Sequence, residues 1–464
     1  MSGVATGGRF APWTTAFYAI AWIVVVVQGW APLLGEDPLA RLHYPIASAE
    51  RLTSRDLELA EAIERTAGPL KGVLEALYGT RQEILLGAID VQEEILAGLD
   101  ESSVEADPVR ERLRVLLEEA GHPEEASQWG TDDRARELLE TREWRTVLEA
   151  RRLLDYELGL ADWYADRVLI ALAVPDVADA ARDDLLARGA RWKRHSLLLL
   201  GSNLLLVAFG AALLATRVRF LRALFAGADG EPPWPLEDGL GVFVRGDFWN
   251  RLYFLTLTWA WGEPFGAALV DTAFGDLLQT WGTLIGSLPM LWLIHRHLLA
   301  PAGRSVVSTF GLGISPWTTI RIGLSAIAID LVGIHAIAWT TWGLGVASSW
   351  AEGFDETLAW GHLGEAWMVA TDYVVWVPAM EELAFRGLLY YSLRRRLGPA
   401  AAAALSAGFF ASMHFYSLPG FLMTFWSGLV WALAFERSRS LLPGIGAHAV
   451  YNALYVAGVV LVYR

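Results

Sequence analysis

Three short motifs near the end of the chain combine carboxylates, imidazoles and an amide within apolar sequence. They are Glu381-Glu382-Leu-Ala-Phe-Arg386, Phe410-Ala-Ser-Met-His414 and His448-Ala-Val-Tyr-Asn452. Placing an ionisable or strongly polar side chain inside a bilayer costs free energy, so such a residue in a membrane helix is a candidate functional residue. A carboxylate or an imidazole can take a proton from water, and imidazole and amide N–H groups can stabilise an oxyanion, so the motifs indicate hydrolytic chemistry.

The spacing within the first motif predicts different roles for its two glutamates. On a helix Glu381 and Glu382 point about 100° apart, whereas Glu382 and Arg386 are four residues apart and share a face. We therefore expect Glu382 and Arg386 to form a structural ion pair, which leaves Glu381 facing a cavity as the general base. The alternative is a charge cluster at a helix end, because Arg394 follows closely.

Each of the two histidines has a motif partner one helical turn away: Phe410 precedes His414, and Asn452 follows His448. Phe410 can pack its ring over the imidazole of His414, and His448 and Asn452 can donate to one spot. A lone histidine on an apolar face is more often a satisfied core residue than a catalyst. The combination of both motifs with the first one is what favours a catalytic site.

The depths of these residues in a bilayer agree only in part. With a rise of about 1.5 Å per residue, Glu381 and His414 each lie roughly 22 Å from an end of their helices. On the same rise His448 lies only about 8 Å from Pro443. The depth of His448 relative to the other residues therefore stays open.

Composition predicts an all-α, polytopic transmembrane helical bundle. The 464 residues are 54% hydrophobic and include 22 Trp and no Cys, which excludes disulfides, thiol catalysis and cysteine-ligated zinc. The apolar runs have the length of roughly 20 residues that a bilayer requires. About nine spans are predicted: Trp13–Leu34, Leu197–Thr216, Leu252–Val270, Trp281–Leu299, Trp317–Trp342, Trp367–Leu389, Pro399–Phe415, Gly420–Phe435 and Gly444–Val462.

The charge of the chain is concentrated in one segment. Residues 36–195 hold about 35 of the 52 acidic residues and about 21 of the 37 basic ones, which is nearly all of the net charge of −15. Helical periodicity within this segment predicts an inserted, acidic, soluble α-helical domain. Its sign argues against nucleic-acid binding. Residues 1–35 would then be an N-terminal membrane anchor, and residues 196–305 additional transmembrane helices.

The distribution of arginines predicts the orientation of the bundle. Arginines follow the even-numbered spans: Arg217, Arg219, Arg222, Arg296, Arg304, Arg394, Arg395, Arg396, Arg437 and Arg439. The positive-inside rule then predicts a cytoplasmic N-terminus and an extracytoplasmic acidic domain. We expect a multi-pass inner-membrane protein of bacterial origin, in contact with membrane lipid.

The three motifs, in this order and at these separations, resemble the CPBP family of CAAX-protease and bacteriocin-processing intramembrane proteases, which include the Ras-converting type of CAAX endopeptidase. The resemblance covers roughly residues 310–460, and it makes residues 306–464 a predicted protease core. It implies hydrolysis of a peptide bond in a membrane-anchored protein or peptide. Glu381 and His414 would activate water, His448 and Asn452 would stabilise the oxyanion, and Glu382, Arg386 and Phe410 would support them.

Several alternatives remain open at this stage. The family is described both as metalloproteases and as glutamate-type proteases, so zinc held by Glu381, His414 and His448 is an alternative to metal-free chemistry, which we favour. The chain could also be a non-catalytic immunity or scaffold protein with this fold. Polar residues within the predicted spans, Asp330, His335 and Asp372, are also compatible with a transporter, although Asp330 could instead be a polar contact within the bundle. The sequence determines neither the substrate nor the oligomeric state.

Overall fold

The computed structural model describes residues 10–34, 45–99, 103, 106–129, 133–216, 232–261, 277–278, 280–346 and 354–463. These residues form helices and turns and contain no strand, so the all-α prediction is confirmed for them. The chain divides into two compact units, residues 39–201 and residues 1–38 with 202–464. We call them the acidic unit and the membrane unit.

Helix α1 (Pro12–Leu34) precedes the acidic unit. The acidic unit contains α2 (Pro45–Glu64), α3 (Pro69–Tyr78), α4 (Arg81–Gly98), α5 (Ala106–Glu119), α6 (Pro123–Ala126), a 3₁₀ turn (Ser127–Trp129), α7 (Asp133–Thr141), α8 (Val147–Leu158), α9 (Asp162–Leu172) and the first part of α10 (Pro175–Thr216). Local sequence explains where several begin. Thr80 and Glu83, for example, form a reciprocal capping box that satisfies N–H groups at the start of α4.

The acidic unit has a leucine-rich core with Trp163 and Tyr164 at its centre. Buried ion pairs join its helices: Arg188 on α10 bonds Asp166 on α9 and places its Nε 2.5 Å from Glu58 Oε1 on α2. Burial raises the pKa of Glu58 in spite of this pairing, so loss of hydration outweighs the attraction of Arg188. The pair therefore fixes how the helices pack more than it adds stability.

The membrane unit continues from the end of α10. Its further helices are α11 (Leu236–Trp261), α12 (Gly282–Leu293) with a π-helical segment (Ile294–Leu299), α13 (Val306–Thr309), α14 (Pro316–Gly343), α15 (Glu356–Trp360), α16 (Leu363–Thr371), a π-helical segment (Asp372–Trp376), α17 (Val377–Glu381), a π-helical segment (Glu382–Tyr390), α18 (Tyr391–Ser412), α19 (Leu418–Ser438) and α20 (Leu442–Tyr463). Its core contains Phe243, Phe310, Phe410, Trp431 and Phe435.

Four described helices are long and apolar enough to cross a membrane: α10, α14, α19 and α20, the last over Leu442–Leu461. The predicted count of nine stays a prediction. The predicted span Trp367–Leu389 is helical throughout, but Asp372, Glu381, Glu382 and Arg386 lower its apolar character. The predicted span Leu252–Val270 extends beyond the described residues, and Arg217, Arg219 and Arg222 lie outside them.

The break between two predicted spans has a backbone cause. Within α18, Gly398 takes φ 75° and ψ 170°, a conformation that interrupts the helix, and Pro399 follows it. Glycine adopts positive φ without steric cost, and proline is well suited to the first turn of the helix that resumes. The second half of α18 thus begins at Pro399, and His414 follows its end.

Candidate active site

The first motif lies where the helical geometry changes. Glu381 is the last residue of α17, and Glu382 is the first residue of the π-helical segment that runs to Tyr390. Periodicity predicted a regular α-helix here, so the local geometry differs from expectation. π-helical turns are rare in proteins and often occur at functional sites.

Glu382 and Arg386 form the predicted ion pair in spite of the π-helical turn. Arg386 Nη1 donates to Glu382 Oε1 at 2.8 Å, and Nη2 donates to the carbonyl of Gly428 at 3.2 Å. The guanidinium also lies 4.4 Å from the centre of the Phe410 ring. A Cβ on Gly428 would stand 3.1 Å from Ala407 and 3.2 Å from Arg386 Nη2, so glycine permits the close approach of α18 and α19.

Glu381 is in a different environment from its neighbour. Its side chain is 26% exposed, whereas that of Glu382 is 1% exposed. Its Oε2 atom is nevertheless buried and has no hydrogen-bond partner among the described residues. Buried carboxylate oxygens are normally paired. Glu381 therefore presents an acceptor to whatever polar group enters the site, as a general base must.

His448 lies between the two glutamates. Its Nε2 is 3.8 Å from Glu381 Oε2, and its Nδ1 is 3.4 Å from Glu382 Oε1. The indole of Trp431 stacks on the imidazole at a centroid distance of 4.0 Å and an angle of 21°. His448 therefore lies at the same depth as Glu381 and Glu382, because it is in contact with both.

His414 is oriented by its own backbone. Its Nδ1 is 2.8 Å from the carbonyl oxygen of Phe410. Since a carbonyl only accepts, Nδ1 carries the proton, and Nε2 of the neutral ring is an acceptor suited to deprotonating water. Phe410 meets His414 edge-on at 4.7 Å and His448 at 6.1 Å, so one aromatic ring contacts both imidazoles.

Asn452 makes a contact that was not expected. Its Nδ2 donates to the carbonyl of Tyr373 at 2.7 Å. In the π-helical segment Val377 N–H bonds Asp372 instead, and Pro378 has no N–H, so Tyr373 lacks its helical partners. One N–H of the Asn452 amide is therefore bonded to Tyr373. Only its second N–H is left for the shared donor site that the sequence predicted for Asn452 and His448.

Two residues near the site were not identified as part of it from sequence. Trp431 forms the stacking surface for His448 and lies 5.2 Å from the Arg386 guanidinium. Asp330, considered earlier as a transporter residue or a polar contact in the bundle, accepts a hydrogen bond from Ser427 at 2.7 Å. Nothing in the sequence pattern separates Trp431 from the other tryptophans; only the packing identifies it.

The side chains that the structure describes were compared with the zinc alternative. Among the described residues, no group of three or more His, Asp or Glu side chains is arranged to hold an ion. Of the three residues in the zinc alternative, His414 bonds a carbonyl through Nδ1, which leaves Nε2 available as a ligand atom, and both nitrogens of His448 face glutamates. The preference for metal-free over zinc chemistry therefore stays a prediction.

Comparison with known proteins agrees with the motifs. Residues 363–454 match the family described as Rce1-like, type II CAAX prenyl endopeptidase. The match is shorter than the predicted core but contains all seven motif residues, so the resemblance to the CAAX-protease family is confirmed, and this is a family of proteases. No curated protein and no solved structure matches the chain.

Proposed function

We propose that the chain is an intramembrane endopeptidase that hydrolyses a peptide bond in a membrane-anchored protein or peptide. The observation that carries this proposal is the buried, unpartnered Oε2 of Glu381, 3.8 Å from His448 Nε2. Burying an unpartnered carboxylate oxygen in an apolar helical bundle costs free energy, and residues of this kind usually belong to a functional site. The family match over residues 363–454 supports the same activity.

The proposed reaction begins with a water molecule held by Glu381 and His414 Nε2. As the water oxygen attacks the scissile carbonyl carbon, its proton passes to Glu381, and the carbonyl oxygen becomes an oxyanion. An N–H of His448 and the uncommitted N–H of Asn452 stabilise that charge. The proton then passes from Glu381 to the amine as the C–N bond breaks, which restores the carboxylate and releases both products.

The remaining motif residues keep these groups in place. The Glu382–Arg386 pair is anchored on Gly428, and Phe410 contacts the guanidinium and both imidazoles. Trp431 fixes the plane of His448. Such support matters because a displacement of about 1 Å in a catalytic group can reduce a rate by about 100-fold.

The test is a comparison of membrane proteomes from a deletion strain complemented with the wild-type chain or with Glu381→Gln. The substitution preserves side-chain volume and removes the base. We expect uncut membrane-anchored proteins to accumulate with Glu381→Gln as they do without the gene. Glu237→Gln is the control, because Glu237 is an exposed glutamate of the same unit. Identical proteomes in all strains would favour a non-catalytic scaffold and contradict the proposal.

A further inference from the structure

Arg251 and Asp247 on α11 are charged residues outside the segment that matches the protease family. Arg251 Nε donates to Asp247 Oδ2 at 2.7 Å, and Trp22 Nε1 on α1 donates to the same oxygen at 2.6 Å. Asp247 is thus held from a second helix, and it fixes the guanidinium in turn. Charged residues are rare in apolar helices and face the bundle interior or a polar cavity when present.

The other end of Arg251 reaches the turn that carries His414. Arg251 Nη2 is 2.7 Å from Met413 Sδ, and its Cζ lies 5.9 Å from the centre of the Phe415 ring. It therefore contacts the residues on both sides of His414.

This turn is one that needs support. It follows the end of α18 at Ser412, and Phe415 takes φ 55°, in the left-handed region. An aromatic residue rarely adopts such a conformation, which persists only where the surroundings impose it. His414 lies in this turn, and its Nδ1 is bonded to the carbonyl of Phe410 in the last turn of α18, so the direction of Nε2 depends on how the chain leaves the helix.

We propose that the Asp247–Arg251 pair is a positioning device that holds the turn Met413–Phe415 and so aims His414 at the reacting water. The protease site then extends beyond the family segment, to α11 directly and to α1 through Trp22. The structural part of this proposal is independent of the reaction, whereas its effect on rate rests on the proposed hydrolysis.

The experiment compares Arg251→Met, Arg251→Lys and Asp247→Asn with the wild-type chain by hydrogen–deuterium exchange in detergent micelles. We expect faster exchange of the backbone amides at residues 413–417 in Arg251→Met and Asp247→Asn. Arg251→Lys keeps the charge but has no planar guanidinium to reach Asp247 and Met413 together. Exchange at residues 413–417 in this variant should therefore be intermediate between the wild-type chain and Arg251→Met. Peptides covering Glu381 and His448 should be unchanged.

Arg245→Met is the matched control. Arg245 is a buried arginine on the same helix that bonds Thr14 and Thr15 on α1, but it is not among the residues that contact the turn. It should leave exchange at residues 413–417 unchanged. Faster exchange there in Arg245→Met, to the extent seen with Arg251→Met, would mean a general loosening of α11 and would overturn the proposal.

The kinetic measurement uses a cleaved substrate from the proteome comparison. Arg251→Met should lower kcat by about 10- to 100-fold and leave KM within about twofold, since orientation of the base affects the chemical step rather than binding. Normal exchange at residues 413–417 in Arg251→Met overturns the positioning role. Faster exchange with no cleavage by the wild-type chain overturns the proposed hydrolysis and leaves the positioning role intact.

Discussion

Glu381 and Glu382 are neighbours of one chemical type in different surroundings, and we propose different roles for them. Glu382 is nearly inaccessible and bonds Arg386 through Oε1, while Glu381 is partly exposed and faces His448 Nε2; each carboxylate has one buried oxygen without a partner among the described residues. The difference arises from which neighbours each side chain faces, because a paired carboxylate is stabilised as an ion and is a poor base. Substitution of Glu382 should therefore lower stability, and substitution of Glu381 should lower activity.

Glu382→Ala is expected to destabilise the membrane unit. It leaves the Arg386 guanidinium buried without its carboxylate, which costs about 3–5 kcal/mol. The variant should accumulate to a lower level and unfold at a lower temperature in detergent. Glu237→Ala, at an exposed position, should leave both quantities unchanged. An unfolding temperature of Glu382→Ala equal to that of the wild-type chain would contradict the structural role of the pair.

Removal of metal is expected to leave activity unchanged. In the proposed mechanism Glu381 and His414 Nε2 are the proton acceptors for water, and no step requires a metal. Purified protein dialysed against a strong chelator should cleave its substrate at the rate of the untreated protein. Loss of activity with recovery on addition of zinc would instead make Glu381, His414 and His448 ligands.

The residue pairs that follow helical spacing could be predicted, and those that depend on packing could not. The Glu382–Arg386 pair is four residues apart and follows from one helix alone. The contact of His448 with Glu381 joins separate helices, and the rise along each helix left the relative depth of His448 open. The bond of Asn452 to Tyr373 depends on how α20 meets a π-helical turn, which residue spacing does not encode.

At the scale of elements, the segment from Leu363 to Tyr390 changes helical form several times. It passes from α16 through a π-helical turn to α17 and then to a second π-helical turn at Glu382. Pro378 explains the first of these turns in part, because it can donate no hydrogen bond to the preceding turn. Asn452 satisfies the carbonyl of Tyr373 that results, which ties α20 to the helix that carries Glu381.

Pro378→Ala is expected to lower kcat without unfolding the protein. Alanine restores a backbone N–H and favours a regular α-helix, which would compete with Asn452 for Tyr373 and turn Glu381 relative to His448. A fall in kcat of about tenfold or more is expected, with an unfolding temperature that stays the same or rises. Pro316→Ala, in the first turn of α14, is the control with unchanged kcat. An unchanged kcat in Pro378→Ala would contradict a role for this turn.

Hydropathy and periodicity predicted where helices occur but not their local form. The predicted spans Trp317–Trp342 and Gly444–Val462 correspond to α14 and α20, and both contain windows apolar enough to cross a membrane. A π-helical turn requires no particular side-chain types and gives no periodic signal in the sequence. Pro378 was the available signal, and it could as well have marked a simple kink.

At the scale of the whole molecule, a charged helical unit is inserted in sequence between apolar helices. The acidic unit has its own buried core, as a domain that folds alone requires, and ion pairs also join its helices. Its extracytoplasmic location stays a prediction from the arginine distribution. We expect it to recruit or gate a substrate on that side of the membrane.

The location of the acidic unit can be tested with one substitution. The chain has no cysteine, so Ser103→Cys introduces a single thiol in this unit. An impermeant maleimide should label it in intact cells with a permeabilised outer membrane. Labelling only after lysis would place the unit in the cytoplasm and invert the predicted topology. A cysteine at Arg396 should show the opposite pattern, because Arg396 follows an even-numbered predicted span.

The proposed role of Glu381 as the base that activates water can be tested by a cleavage assay of the Glu381→Gln variant. Wild-type protein and Glu381→Gln are purified, reconstituted in lipid vesicles and assayed for cleavage of the same membrane-anchored substrate, with unfolding temperatures measured in parallel. We expect a rate lower by about 100-fold or more in Glu381→Gln, at an unchanged unfolding temperature. Cleavage by Glu381→Gln at the wild-type rate would contradict it.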